Sequence, residues 1–221
     1  MKNYIFDRFK NSKKFKKELL ETLKNLSNIE FGGRRLNDGH KNHITQNPYE
    51  ITELIFFLKA YEKTHKMKLK KFLEIGFYTG FTNTILNKFF NFEHIVVVDN
   101  LSDQIDGNNF LANLKFKSLT LITGSSTAKS TIKKVKNFSS YDLIFIDGNH
   151  SYQYVKKDFE NYCNYLSKKG IIIFHDIINK DWPGVRKLFN EIKLTKKFHT
   201  HEITSHGNKI NYGLGLVIKK W

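Results

Sequence analysis

The 221-residue chain contains one cysteine and two prolines, and only four of its 37 basic residues are arginine. Cys163 has no partner for an intrachain disulfide, so the core must hold the fold, and a reducing cytoplasmic setting is expected. Long apolar runs are missing as well. Leu54–Leu58 and Ile171–Phe174 are the most continuous, whereas a membrane-spanning helix needs roughly 20 apolar residues. Met1–Leu26 mixes Phe and Leu with many lysines and does not read as a signal peptide. No internal repeat or low-complexity block is present. A net charge of +16 and a pI near 9.7 raise a polyanionic partner. The shortage of arginine argues the other way, because nucleic-acid recognition leans on bidentate and stacked guanidinium groups. The lysines are spread along the chain, and with much Asn, Ile and Phe and almost no Ala they match AT-rich codon usage. Charge of this kind governs non-specific association rather than fold. Nucleic acid therefore stands as an alternative behind a small-molecule ligand.

What is present is an alternation of short apolar runs with amphipathic stretches. Strands are expected at Phe72–Ile75, Ile95–Val98, Leu119–Thr123, Leu143–Ile146 and Ile171–Phe174, with helices at about 80–90, 108–116, 126–137 and 151–167. Runs of Ile, Val and Phe with few polar interruptions suit strands buried on both faces of a parallel sheet. A further helix opens at Trp182-Pro183-Gly184, with Pro in the first turn. Phe198–Thr204 and Leu214–Ile218 then read as a closing pair at one sheet edge. The expected class is α/β: a doubly wound, mostly parallel seven-stranded sheet with an antiparallel closing strand.

The first 45 residues differ and are taken as a helical arm with a substrate-side loop, leaving 46–221 as the α/β domain. Phe15, Leu19, Leu20, Leu23 and Leu26 share one helical face. That stripe fits packing on the domain or on a second subunit, as in a homo-oligomer, better than a membrane surface. Phe31–His43 is a Gly-rich loop carrying Arg34 and Arg35, and Pro48–Thr64 reads as a helix entered through Asn47.

In an open parallel sheet, ligands bind at the carboxyl ends of the strands, beside the point where strand order reverses. The first strand ends in Glu74 and the turn Gly76-Phe-Tyr-Thr-Gly80. Glycines let a backbone turn tightly and approach a ligand closely. The spacing lacks the middle glycine that a dinucleotide pyrophosphate requires. The second strand ends in Asp99, where a carboxylate can accept both hydroxyls of a ribose. Glu74, the glycine turn and Asp99 together resemble the class I S-adenosylmethionine-dependent methyltransferases, whose fold is Rossmann-like, and the resemblance covers about residues 46–221. It implies S-adenosylmethionine as cofactor, faced by Glu74, Gly76, Tyr78, Gly80, Asp99, Ser125 and Asp147. Ser125 and Ser126 fall where that family contacts adenine, although serines after a strand also serve as helix N-caps.

Leu143-Ile-Phe-Ile-Asp-Gly-Asn-His-Ser-Tyr152 and Gly170-Ile-Ile-Ile-Phe-His-Asp176 carry a narrower likeness. They are similar to the small-molecule O-methyltransferase branch known as methyltransferase domain 24, which includes enzymes acting on sugars of macrolide-type products. Gln46-Asn-Pro-Tyr-Glu50 and Tyr212-Gly-Leu-Gly-Leu-Val217 share the likeness. It implies methyl transfer to a hydroxyl of a sugar, sugar-nucleotide or other small polar metabolite. It also implies a magnesium ion bound by Asp147, His175 and Asp176, with Asp147 and His150 catalytic. A neutral imidazole at His150 is suited to removing a hydroxyl proton near pH 7. His175 departs from the oxygen ligands that magnesium prefers, so a softer ion such as manganese, or a metal-free reaction with a histidine base, stays open. Other readings are a nucleic-acid methyltransferase, a hydroxylase-like relative, and a catalytically inactive cofactor-binding or assembly protein. His40 with His43, and His199 with His201, have metal-pair spacing but no accompanying carboxylate cluster, so they read as surface histidines.

Overall fold

The computed structural model describes residues 12–25, 46–78, 80–102, 118–205 and 212–220. The Arg34–Arg35 loop, His40, His43 and the helix expected at 108–116 lie outside the described residues. In chain order the elements are α1 (Ser12–Asn25), α2 (Pro48–His65), β1 (Lys71–Ile75), α3 (Phe81–Phe90), β2 (His94–Asp99), β3 (Leu119–Thr123), α4 (Lys129–Lys136), β4 (Tyr141–Ile146), α5 (Tyr152–Tyr162), β5 (Leu166–Phe174), α6 (Pro183–Leu194), β6 (Phe198–Ile203) and β7 (Leu214–Lys219).

The seven strands form one sheet in the order β3-β2-β1-β4-β5-β7-β6. β1 to β5 pair in parallel, and β7 runs antiparallel to both β5 and β6. Alternation along each strand divides the core in two. Phe72, Ile95, Val97, Leu143, Phe145, Ile171 and Ile173 pack on one face with α1, α2 and α3. Leu73, Ile75, Val96, Val98, Ile144, Ile146, Ile172 and Phe174 pack on the other with α4, α5 and α6. Both faces are covered, which is why these strands read as continuous apolar runs. Each fully buried side chain of this size contributes about 1.5–3 kcal/mol relative to exposure.

Two boundaries differ from expectation. The helical pattern over 151–167 breaks at Tyr162 into a 3₁₀ turn at Cys163–Tyr165, and β5 begins at Leu166. Leu166–Lys169 has polar neighbours and no strand-like run, but Leu166 pairs with Tyr141 of β4. Tertiary pairing therefore overrides local pattern there. In α1, Leu19 and Leu23 are buried against the α2 side of the core, so that part of the stripe is covered within the chain. Among the described residues no helix is long and apolar enough to cross a membrane.

The start of α2 is fixed by its cap. The Asn47 side chain accepts the N–H groups of Tyr49 (2.9 Å) and Glu50 (3.4 Å), and Pro48 occupies the first turn. This capping places Gln46 and Glu50 beside the ends of β4 and β7.

Candidate active site

Strand order reverses beside β1, which lies between β2 and β4. Backbone bonds continue the ladder past the strand ends: Gly76 N–H to Val98 (2.9 Å), Asp147 N–H to Ile75 (2.8 Å) and His175 N–H to Ile146 (3.1 Å). The residues carrying polar side chains thus emerge in register at one edge of the sheet.

The glycine turn is held tightly. Gly76 and Gly80 have φ of +87° and +80°, and Tyr78 adopts φ +49°. A left-handed conformation is unusual for a bulky residue and has to be imposed by its surroundings. Asp99 imposes part of it. Its Oδ2 accepts the N–H groups of Phe77 (2.7 Å) and Tyr78 (3.1 Å), and its Oδ1 accepts that of Leu101 (2.6 Å). A carboxylate has about four acceptor positions, so Asp99 organises the turn and still has capacity for a ligand hydroxyl. Glu74 points to the opposite side from its neighbour Leu73, under α3, and is buried beside Asn83. Burial pushes its carboxyl well above the usual range, and the Asn83 side chain only partly offsets this. Ser125 is exposed after β3 and makes a local turn with Thr127 (Oγ to Oγ1, 3.1 Å). It does not cap α4, whose N-cap is Ala128.

Four residues from the ends of β4 and β5 lie together. Asp147, His150, His175 and Asp176 each offer a ligand atom, and these atoms all lie within 4.8 Å of one another. His150 Nε2 lies 3.2 Å from Asp147 Oδ1 and 3.0 Å from Asp176 Oδ2. His175 Nδ1 lies 3.1 and 3.2 Å from the same two oxygens. The His175 ring is buried, and among the described residues neither nitrogen achieves hydrogen-bond geometry despite those distances. Its Nδ1 thus converges with the carboxylates without pointing along a hydrogen bond to either. Ligand atoms converging in this way could hold a cation between them. Two carboxylates with one or two imidazoles fit a borderline ion such as Mn²⁺ or Fe²⁺ better than Mg²⁺, which favours oxygen throughout.

Without a cation, the four groups compensate one another. Burial alone would lower the pKa of both imidazoles, but the negative charge of Asp147 and Asp176, with hydrogen bonding at His150, outweighs it, raising His150 to about 9 and His175 to about 10. Burial would raise the two carboxyls, but His150 and His175 hold both below their ordinary value. Asp176 has φ +63°, a conformation Asp tolerates better than most residues, and its Oδ1 accepts from Asn179 Nδ2 (2.8 Å).

The structure adds three neighbours that the sequence does not single out. Gln46 Nε2 donates to Asp147 Oδ2 (3.0 Å). Glu50 Oε1 accepts from Gly213 N–H (3.0 Å) and from Ser205 Oγ (3.2 Å). Trp182 stacks on His150 with ring centroids 5.2 Å apart and is 44% exposed. Gln46 and Glu50 lie in a segment whose family likeness is visible, but nothing in it spells out their contacts. His199 and His201 lie on the edge strand β6, and His201 stacks on Phe57 at 5.2 Å. They join no candidate metal cluster among the described residues.

Residues 73–177, which contain the glycine turn, Asp99 and the four-residue cluster, match the methyltransferase domain family. Over that stretch the chain is similar to the class I, S-adenosylmethionine-dependent methyltransferases. Among solved structures, the O-methyltransferase TomG of Streptomyces achromogenes, crystallised with S-adenosylmethionine, superposes with a TM-score of 0.63 at 15% identity, covering 97% of this chain and 98% of that one. MycE of the mycinamycin pathway, in complex with Mg and S-adenosylhomocysteine, gives a TM-score of 0.54 at 14% identity over 77% of this chain and 54% of its own. At such identities the likeness establishes the shared fold. The uncharacterized protein R132 of Acanthamoeba polyphaga mimivirus is 40% identical over 60 residues, which is 25% of this chain. The matched stretch spans only 27% of R132.

Proposed function

We propose that this protein transfers the methyl group of S-adenosylmethionine to a hydroxyl of a small ring-containing acceptor, with a divalent cation at Asp147, His175 and Asp176. The observation that carries the reading is the convergence of these three residues and His150 one strand away from the glycine turn. The cation-bound neighbour MycE and the S-adenosylmethionine-bound neighbour TomG support it by analogy of fold.

Asp99 and the glycine turn that it organises would receive the adenosine end of the cofactor, with a ribose hydroxyl donating to Asp99. Ser125 lies on the loop after β3, on the adenine side. When bound, the cation would hold the acceptor oxygen and lower its pKa. His150 Nε2 would take the hydroxyl proton. The oxygen lone pair then forms the new O–CH₃ bond as the C–S⁺ bond breaks, and the sulfur leaves as the neutral thioether of S-adenosylhomocysteine. His150 pairs with both carboxylates and holds a proton up to about pH 9 without a cation. A divalent ion that claims Asp147 and Asp176 removes that stabilisation and frees His150 as a base near neutrality. Trp182, stacked on His150 and partly exposed, offers an apolar face to an acceptor ring, a feature suited to a sugar or an aromatic alcohol.

Calorimetric titration with S-adenosylmethionine tests the cofactor, and absence of binding at high micromolar concentration would sink the reading. Transfer of labelled methyl to a panel of glycosides, sugar-nucleotides and catechols, with and without EDTA, tests the acceptor and the cation. Turnover undiminished by EDTA would remove the cation from the mechanism. The pairing of two imidazoles with a carboxylate also favours a second reading, an Fe²⁺-dependent oxidation. Oxygen uptake with Fe²⁺ and no methyl transfer would select it.

A further inference from the structure

Glu50 is a buried carboxylate with one oxygen used and one left over. Its Oε1 takes hydrogen bonds from Gly213 and Ser205, which flank the connection between β6 and β7. Its Oε2 is buried and has no hydrogen-bond partner among the described residues. His175 presents the complementary situation. Its Nδ1 faces Asp147 and Asp176, while its outward Nε2 is buried and likewise has no hydrogen-bond partner there. The two side chains are close enough to influence each other electrostatically. The same backbone links them: Gly213 donates to Glu50, and the adjacent Tyr212 ring packs on His175 with centroids 5.1 Å apart. Gln46, at the entry to α2, completes the tie by donating to Asp147.

We propose that Glu50 is the outer partner of the metal-ligating histidine, accepting the Nε2–H of His175 directly or through one bridging water. A metal-bound imidazole commonly donates its second ring N–H to a carboxylate, which fixes the tautomer and makes the ligating nitrogen a better donor. With Nε2 carrying the proton toward Glu50, the Nδ1 lone pair is directed at the cation. Glu50 also sets a third negative charge behind a site whose other ligands are Asp147 and Asp176. It is a positioning residue, since it touches neither acceptor nor cation. The role rests on the cation-assisted reading for its purpose, but the pairing itself exists without any cation.

The test uses the full chain in two measurements. In metal-free ¹⁵N-labelled protein, a long-range ¹H–¹⁵N spectrum should show a slowly exchanging ring proton that disappears in His175→Gln and shifts in Glu50→Gln. If that proton is absent from the wild type, or unmoved by Glu50→Gln, the proposal is overturned. Titration with Mn²⁺ followed by electron paramagnetic resonance should show affinity roughly 10- to 100-fold weaker in Glu50→Gln. Ser205→Ala, which disturbs the loop contact and keeps the carboxylate, should stay near the wild-type affinity. Equal loss in both variants would mean Glu50 acts only through the loop, and would also overturn the proposal. A wild type that binds no Mn²⁺ but keeps the Glu50-dependent ring proton would retain the pairing and discard the cation.

Discussion

Gly76 and Asp147 meet backbone to backbone: a Cβ added at Gly76 would lie 2.2 Å from the Asp147 carbonyl oxygen. The glycine turn and the four-residue cluster are therefore one mechanical unit, joined where β1 and β4 end. Gly76→Ala adds a clash to an unfavourable φ of +87°. Overpacking of this kind costs about 1–3 kcal/mol, and the backbone carrying Asp147 has to shift. The expected result is a lower melting temperature together with weaker S-adenosylmethionine and Mn²⁺ binding, read by calorimetry. Loss of cofactor binding with Mn²⁺ affinity intact would show that the two regions are mechanically separate.

Asp99 holds three backbone amides, two of them in the glycine turn. Hydrogen bonds to a charged group contribute about 1.5–3 kcal/mol each. Asp99→Ala should loosen the turn as well as remove a ligand contact. Cofactor affinity should fall by roughly 10- to 100-fold, and hydrogen exchange should accelerate at Phe77 and Tyr78. Weaker cofactor binding with unchanged exchange would leave Asp99 only the ligand contact.

The cluster makes stability of the metal-free protein depend on pH. His150 and His175 have folded pKa values of about 9 and about 10, above the 6.5 expected unfolded. The folded state then binds more protons, so the stabilisation is fully present below about pH 6.5 and is lost as pH rises through 9 to 10. Thermal melts in EDTA should show a falling melting temperature over that window, flattened in the His150→Gln, His175→Gln double variant. With Mn²⁺ present the slope should weaken or reverse, because the cation competes with those protons and binds better at higher pH. A melting temperature in EDTA that is flat from pH 6.5 to 10 would contradict the charge assignment.

Asp158 offers a separate test, on the face of α5 buried against the sheet. Burial raises its carboxyl to about 6 from 3.8, with only partial relief from Ser126. The slope has the same sign as for the raised imidazoles, at lower pH: the penalty is absent below about pH 4, grows between pH 4 and 6, and is complete above. Asp158→Asn should therefore stabilise the protein at pH 7.5 by about 2–3 kcal/mol and have little effect at pH 4. Chemical denaturation at the two pH values measures the difference, and equal effects at both would show that burial charge is not the cause.

Strand positions are legible in the sequence because Phe72–Ile75, Ile95–Val98 and Leu143–Ile146 are buried on both faces and have to be apolar throughout. The strand-end residues Glu74, Asp99, Asp147, His175 and Asp176 are legible for a related reason. Parallel strands deliver their carboxyl ends to one edge, so polarity after an apolar run marks a candidate ligand position. The helical pattern read over 151–167 runs past Leu166, where pairing with β4 makes the chain strand instead. The Cys163–Tyr165 turn that precedes it has no local signature.

The sheet, the glycine turn without a dinucleotide spacing and the candidate strand-end residues follow from the order of amino acids. How those residues act on one another follows from packing. Gln46 reaches Asp147 across 101 positions of chain, and Glu50 reaches Gly213 across 163. Trp182 arrives over His150 because Gly184 packs where a Cβ would lie 2.4 Å from the Tyr152 backbone nitrogen. Periodicity records which face a residue occupies within its own element. Which groups share a proton or a cation depends on where the elements come to rest, and that is set by packing of the whole core.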